Sequence, residues 1–169
     1  DNGFSTKEKA SELIELTKKH AEDKLTVFST EKKKETKNAP LLFNLAELQN
    51  ECSKLFKINP DETLKITQEL YEKKLVTYPR TDARVLSTAV SKEIHKNIGG
   101  LRNLDIFKGF SEEILASGTY KNISKTRYVN DKQITDHYAI IPTGQGFGAL
   151  NGLNPLARKV YEVIARRFL

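Results

Sequence analysis

The segment from Asn59 to Pro79 constrains this chain most, because both ends of one helix are written into it. Asn59-Pro60-Asp61-Glu62 supplies a capping side chain, a proline at the first helical position and acids in the first turn. The helix is predicted to run to about Lys74 and to bury Leu64, Thr67, Leu70 and Tyr71. A short apolar run, Leu75-Val76-Thr77, then leads into Tyr78-Pro79-Arg80. Proline disfavours the α region for the residue before it, so Tyr78 is expected to be extended. Alternate side chains of an extended segment share a face, which would set Tyr78 beside Arg80. A phenol hydroxyl next to a guanidinium suits attack on a phosphodiester. The hydroxyl is the nucleophile, and the planar cation grips phosphate oxygens as charge builds on them. Spacing alone favours the plainer reading, an aromatic closing a strand end beside a solvated arginine.

Around this segment the pattern is mostly helical. Ser5 with Glu8 reads as a capping box for a helix to about Lys19 along Ala10, Leu13, Ile14 and Thr17. Leu25 to Thr30 is β-rich, and Lys32-Lys33-Lys34 after it reads as a solvated turn, with phosphate contact the lesser reading. Lys37-Asn38-Ala39-Pro40 breaks the pattern and marks a boundary, giving a partial segment 1–40 and a main domain 41–169. Asn44 with Glu47 opens a helix whose stripe is Leu45, Leu48, Cys52, Leu55 and Phe56. Ser87 caps a helix through Val90, Ile94 and Ile98 that Gly99-Gly100 is expected to close. Arg102 to Gly109 reads as loop, and Ser111 to Ala116 as a short helix ended by Gly118. Thr119 to Thr135 suggests two strands around an Asn130-Asp131 turn. Gly144, Gly146, Gly148 and Gly152 read as a flexible connector, and Asn154-Pro155 starts a last helix with Leu156, Val160, Ile164 and Phe168 inward.

At 169 residues the chain can bury a genuine core. With 38% hydrophobic and 30% charged residues it has no apolar run long enough to cross a membrane. Its single cysteine, Cys52, excludes an internal disulfide and reads as a small buried hydrophobe. A net charge of +6 is compatible with a polyanionic partner and does not identify one. The chain lacks methionine, starts at Asp1 and ends at Leu169 within a helical pattern, so a piece of a larger protein is expected.

Val76-Thr77-Tyr78-Pro79-Arg80-Thr81-Asp82-Ala83-Arg84 resembles the active-site tyrosine motif of type IA DNA topoisomerases, and Leu70 to Leu75 fits the helix before it. Asp136-His137-Tyr138-Ala139-Ile140-Ile141-Pro142-Thr143 resembles the family's histidine motif, in the expected order. Leu42 to Gln49 and Val160 to Leu169 are also similar, most of all to the topoisomerase III branch.

The resemblance implies a mainly α fold with a small β component (α+β), winged-helix-like in its central helical part. It makes Tyr78 the nucleophile that forms a transient 5′-phosphotyrosine bond with one DNA strand. Arg80 would clamp phosphate, and His137 would donate to a phosphate oxygen or position the scissile strand. Glu72 would lie near the site, and Arg84 and Lys125 would contact the DNA backbone. Magnesium would be held by a separate acidic domain earlier in the polypeptide, so no cofactor is expected on this chain, which contains no D-x-D pair. The implied partners are single-stranded DNA and the missing domains of the same polypeptide, in a cytoplasmic, bacterial nucleoid-associated setting with no membrane. Alone, the piece is expected to bind single strands weakly and to show little or no relaxation activity. The alternative from another class is a non-catalytic nucleic-acid-binding winged-helix module. A tyrosine recombinase ranks lower, because Arg80 and His137 both follow the tyrosine.

Overall fold

The computed structural model describes residues 3–20 and 27–169. It divides into two compact units, Asp1–Asn38 and Ala39–Leu169, the break falling inside Lys37-Asn38-Ala39-Pro40. The first unit contains α1 (Lys7–Lys19), capped by Thr6 rather than Ser5. No residue of α1 is buried, and Leu13, Ile14 and Leu16 are exposed. Of the expected strand, Leu25 and Thr26 lie outside the described residues, and Val27 to Thr30 form no regular structure.

The second unit is built on α2 (Leu45–Phe56), α3 (Pro60–Glu72), α4 (Thr88–Leu101), α5 (Asp105–Ser117) and α6 (Pro155–Phe168). Three of these start with the same device. Asn44, Asn59 and Asn154 each accept a hydrogen bond from the backbone N–H three residues on, at 2.9, 2.8 and 2.8 Å. The small β component consists of three isolated bridges: Phe43 with Ile140, Val76 with Pro142, and Leu86 with Val129.

The helix α3 packs against α2 and α6, and α4 packs against α5. The apolar residues accordingly form two cores. One gathers Phe43, Leu48, Leu70, Leu75, Val76, Phe107, Ile140, Tyr161 and Ile164. The other gathers Leu42, Leu86, Ile94, Ile98, Ala139 and Ile141. Ala139, Ile140 and Ile141 therefore alternate between the two, as consecutive side chains of an extended segment must. This segment is the partition of the domain.

Several expectations from sequence are corrected. On α3 the buried stripe is Thr63, Ile66, Thr67 and Leu70, while Tyr71 is 39% exposed and Leu64 only half-buried. Small threonines let neighbouring helices approach, and their hydroxyls are satisfied locally: Thr67 donates to the Thr63 carbonyl at 2.7 Å. Leu55 of α2 is 54% exposed, whereas Cys52 is buried and its thiol is pushed up to about 11 by desolvation. Gly99 and Gly100 lie within α4 rather than closing it. Arg102 to Gly109 is not a loop, because α5 starts at Asp105 to bury Phe107.

The stretch from Thr119 to Thr135 forms no strand pair. It holds two short 3-10 helices, Thr119–Lys125 and Asp131–Gln133. Asp131 caps α4 instead of turning a hairpin. Its carboxylate accepts from the Thr88 N–H at 2.9 Å and the Thr88 hydroxyl at 2.6 Å, which holds its pKa below the usual range. The glycine-rich connector is also ordered locally, with Gly144 and Gly146 left-handed and a 3-10 helix over Phe147–Gly152.

The Tyr161 hydroxyl on α6 is buried with no hydrogen-bond partner among the described residues, and burial pushes its pKa upward. A buried hydroxyl without a partner carries a desolvation penalty of about 1–3 kcal/mol. Tyr161→Phe removes that group while keeping the ring, so urea unfolding should show stability raised by about 1 kcal/mol. A loss of that size instead would mean that the hydroxyl is satisfied.

Candidate active site

The residues after α3 are delivered by a helix ending of Schellman type. The Leu75 N–H donates to the Leu70 carbonyl at 2.9 Å, and the Lys74 N–H donates to the Tyr71 carbonyl at 2.8 Å. Lys74 occupies the left-handed position with φ 60°, where glycine is usual. Leu70 and Leu75 are both fully buried, which anchors the exit of the chain.

The exit segment is then laced to the partition. The Thr143 N–H donates to the Leu75 carbonyl at 3.0 Å, and the Thr77 N–H donates to the Ile141 carbonyl at 3.0 Å. The Thr77 hydroxyl donates to the Ala139 carbonyl and accepts from the Ile141 N–H, both at 3.0 Å. The Thr81 hydroxyl donates to the His137 carbonyl at 2.7 Å. These bonds carry His137 to Tyr78 across the sequence.

The two rings meet with centroids 4.3 Å apart, tilted by 39°. Tyr71 meets Tyr78 edge to face, at 5.4 Å and 83°. Such aromatic pairs contribute about 0.5–1.5 kcal/mol beyond simple burial, enough to bias the Tyr78 ring toward one orientation. The Tyr78 hydroxyl has no hydrogen-bond partner among the described residues. Tyr71, Lys74, Thr77, Tyr78, His137, Tyr138 and Thr143 line one open depression of about 290 Å³. Tyr138 is half-buried there, and desolvation raises its pKa.

Arg80 is exposed and lines a different depression, of about 430 Å³, with Asp61, Lys65, Gln68, Glu69 and Glu72 of α3. Glu72 accepts from the Gln68 amide at 3.1 Å. The expected side-by-side placement of Tyr78 and Arg80 is thus replaced by two separate depressions. Beyond Val76 the exit segment pairs with no strand, so simple alternation does not govern it. Arg84 turns inward, donating to the Leu42 carbonyl at 3.3 Å and pairing with Glu47 at 3.4 Å. Lys125 is exposed at the end of its 3-10 helix. An apolar hollow of about 520 Å³ lined by Leu42, Phe43, Leu55 and Phe168 holds none of these residues.

Sequence reasoning missed Tyr71, Lys74 and Thr143 as lining residues. The usable signal was the helix exit itself, since a chain turning out after Leu70 exposes the neighbours of that leucine.

A DNA topoisomerase family model matches residues 1–169. The chain belongs to the DNA topoisomerase family. It is 42% identical to DNA topoisomerase 3 of Bacillus licheniformis over 132 residues, 78% of this chain and 18% of that protein. DNA topoisomerase 3 of Bacillus subtilis is 39% identical over 153 residues, covering 89% of this chain and 20% of that protein. Among solved structures, full-length topoisomerase I of Thermotoga maritima matches with a TM-score of 0.45 and 26% identity, covering 76% of this chain and 19% of that one. The topoisomerase segment thus spans about a fifth of the length of the curated relatives it matches. Among its described residues no helix is long and apolar enough to cross a membrane.

Proposed function

We propose that this segment supplies the nucleophile of a type IA DNA topoisomerase, which cuts and rejoins one DNA strand. One observation carries the reading: the tyrosine of one family motif and the histidine of the other lie ring against ring in an open depression. The Tyr78 oxygen attacks a backbone phosphorus, and the bond from phosphorus to the 3′ oxygen breaks. The phenol proton leaves as the 3′ oxygen gains one, giving a 5′-phosphotyrosine and a free 3′-hydroxyl. Reversal rejoins the strand, because the phosphodiester energy is kept in the covalent bond. His137 donates to a phosphate oxygen. Arg80 holds a neighbouring phosphate from the second depression, which Glu72 also lines. Lys125 meets the backbone farther along the strand. Arg84 holds α2 to the exit segment instead.

The residues here do not fit a metal site. Among the described residues no three His, Cys, Asp or Glu side chains are grouped so that they could hold a metal ion, and no step above runs through a metal. Magnesium is assigned in this reading to the rest of the enzyme, which also holds the second DNA end. The setting is the bacterial cytoplasm, on the nucleoid.

The test is fluorescence anisotropy of labelled single-stranded and duplex oligonucleotides across a salt series. We expect preference for the single strand, with affinity falling as salt rises because phosphate contacts release counterions. Equal affinity for both forms, or none for either, would sink the strand-gripping reading.

A further inference from the structure

We propose that Lys74 is the cation that receives the DNA phosphate at the Tyr78 depression. This rests on the nucleophile reading above and adds to it an ammonium group beside His137 in the tyrosine's own depression.

Of the residues lining that depression, Lys74 alone is a lysine or arginine, and no carboxylate lines it. Lys74 is exposed and makes no ion pair among the described residues, whereas its neighbour Lys73 is tied to Glu69 at 3.5 Å. Arg80, the expected clamp, faces the acid-rich depression beside α3. A phosphate entering to meet the Tyr78 hydroxyl would therefore find an ammonium group and His137, the Thr77 and Thr143 hydroxyls being already committed to backbone carbonyls.

The backbone explains why a lysine can serve here. Lys74 is held left-handed by its N–H bond to Tyr71 and by the Thr143 hydroxyl, which donates to its carbonyl at 2.6 Å. Gly146 passes so close that a Cβ there would lie 3.2 Å from the same carbonyl. The seat is fastened from three sides, so the side chain starts from a fixed point at the rim. Left-handed backbone is costly for any residue with a Cβ, and glycine would fit the turn better. A lysine at this position is thus kept against the local conformational preference, as strained residues at working sites often are.

In the reaction the ammonium keeps its proton. It pairs with a non-bridging phosphate oxygen while the Tyr78 oxygen bonds to phosphorus and the 3′ oxygen departs, and it stabilises the charge that accumulates on that oxygen.

The turn geometry makes the test clean, since Lys74→Gly removes the charge without endangering the fold. The chain itself, Lys74→Gly, Lys74→Arg and the control Lys159→Gln on exposed α6 surface are compared. The readouts are thermal melting and anisotropy with a single-stranded oligonucleotide across a salt series. Lys74→Gly should melt no lower than the unaltered chain, yet bind several-fold more weakly with a salt slope shallower by about 0.7, one phosphate contact. Lys74→Arg should restore both, and Lys159→Gln should change neither. Unaltered binding and slope in Lys74→Gly would overturn the assignment while leaving the nucleophile reading in place. No binding by the unaltered chain would overturn both.

Discussion

Tyr78→Phe is expected to abolish covalent attachment to DNA and to leave strand binding nearly unchanged. The experiment places this chain in the corresponding segment of the Bacillus subtilis relative, with which it aligns over 153 residues. A labelled single-stranded oligonucleotide is then followed on a denaturing gel for protein-linked DNA. Removing a nucleophile outright lowers turnover by roughly 10⁴-fold or more, so the adduct should vanish. The fold has little reason to respond. The substitution keeps the ring that meets Tyr71 and His137, and the lost hydroxyl has no partner among the described residues. Affinity should therefore stay within about 0.5 kcal/mol, the range of a neutral surface change. A tenfold fall in affinity would make Tyr78 a docking residue and favour the non-catalytic nucleic-acid-binding module. Persistence of the adduct would move the nucleophile elsewhere.

The second large effect concerns a contact with no side chain in it. Within α4, a Cβ on Gly100 would stand 2.0 Å from the Gly144 carbonyl oxygen, and one on Gly144 would stand 2.8 Å from the Asn97 carbonyl oxygen. Backbone meets backbone there, and Asn97 fastens the approach by donating to the Pro142 carbonyl at 2.9 Å. Neither side can retreat cheaply, because Thr143 is bonded to Leu75 on the far side. Gly100→Ala should thus cost about 3 kcal/mol or more, the upper end for overpacking, and lower the melting temperature by roughly 10 °C. The contrast is Gly109→Ala on the open face of α5, where nothing lies within 4 Å of a new Cβ. That change should raise stability by about 0.5–1 kcal/mol through helix propensity. Equal melting of the two variants would show that the α4 approach is looser than the distances imply.

What could be read from sequence follows the locality of each signal. The helices α2, α3 and α6 announce themselves because an asparagine at the cap and the N–H that donates to it lie three residues apart. The start of α5 escaped because Leu104 precedes it with no capping side chain and Gly109 interrupts the pattern. Tyr120, Ile123 and Val129 looked like strand residues. They are apolar because they cover the second core from short 3-10 turns and a single bridge, a tertiary demand that overrides β propensity. Within the candidate site, the two motifs named Tyr78 and His137, and the structure brings them together. Tyr71 was misread because two stripes on α3 compete. The two share Thr67 and Leu70, and the one with Thr63 and Ile66 went inward, which turned the tyrosine toward the depression. That choice depends on how closely α2 and α6 approach, which no local pattern records.

The alternation of Ala139, Ile140 and Ile141 between two cores has a kinetic side. Tyr78 and His137 are drawn together only when that extended segment is gripped from both faces, so neither core can open without loosening the tyrosine. The amides of Thr77, Ile140, Ile141 and Thr143 should then exchange with deuterium as one group, at the rate of the whole domain's opening rather than of a fraying loop. The seat of Tyr78 is thereby as durable as the fold itself.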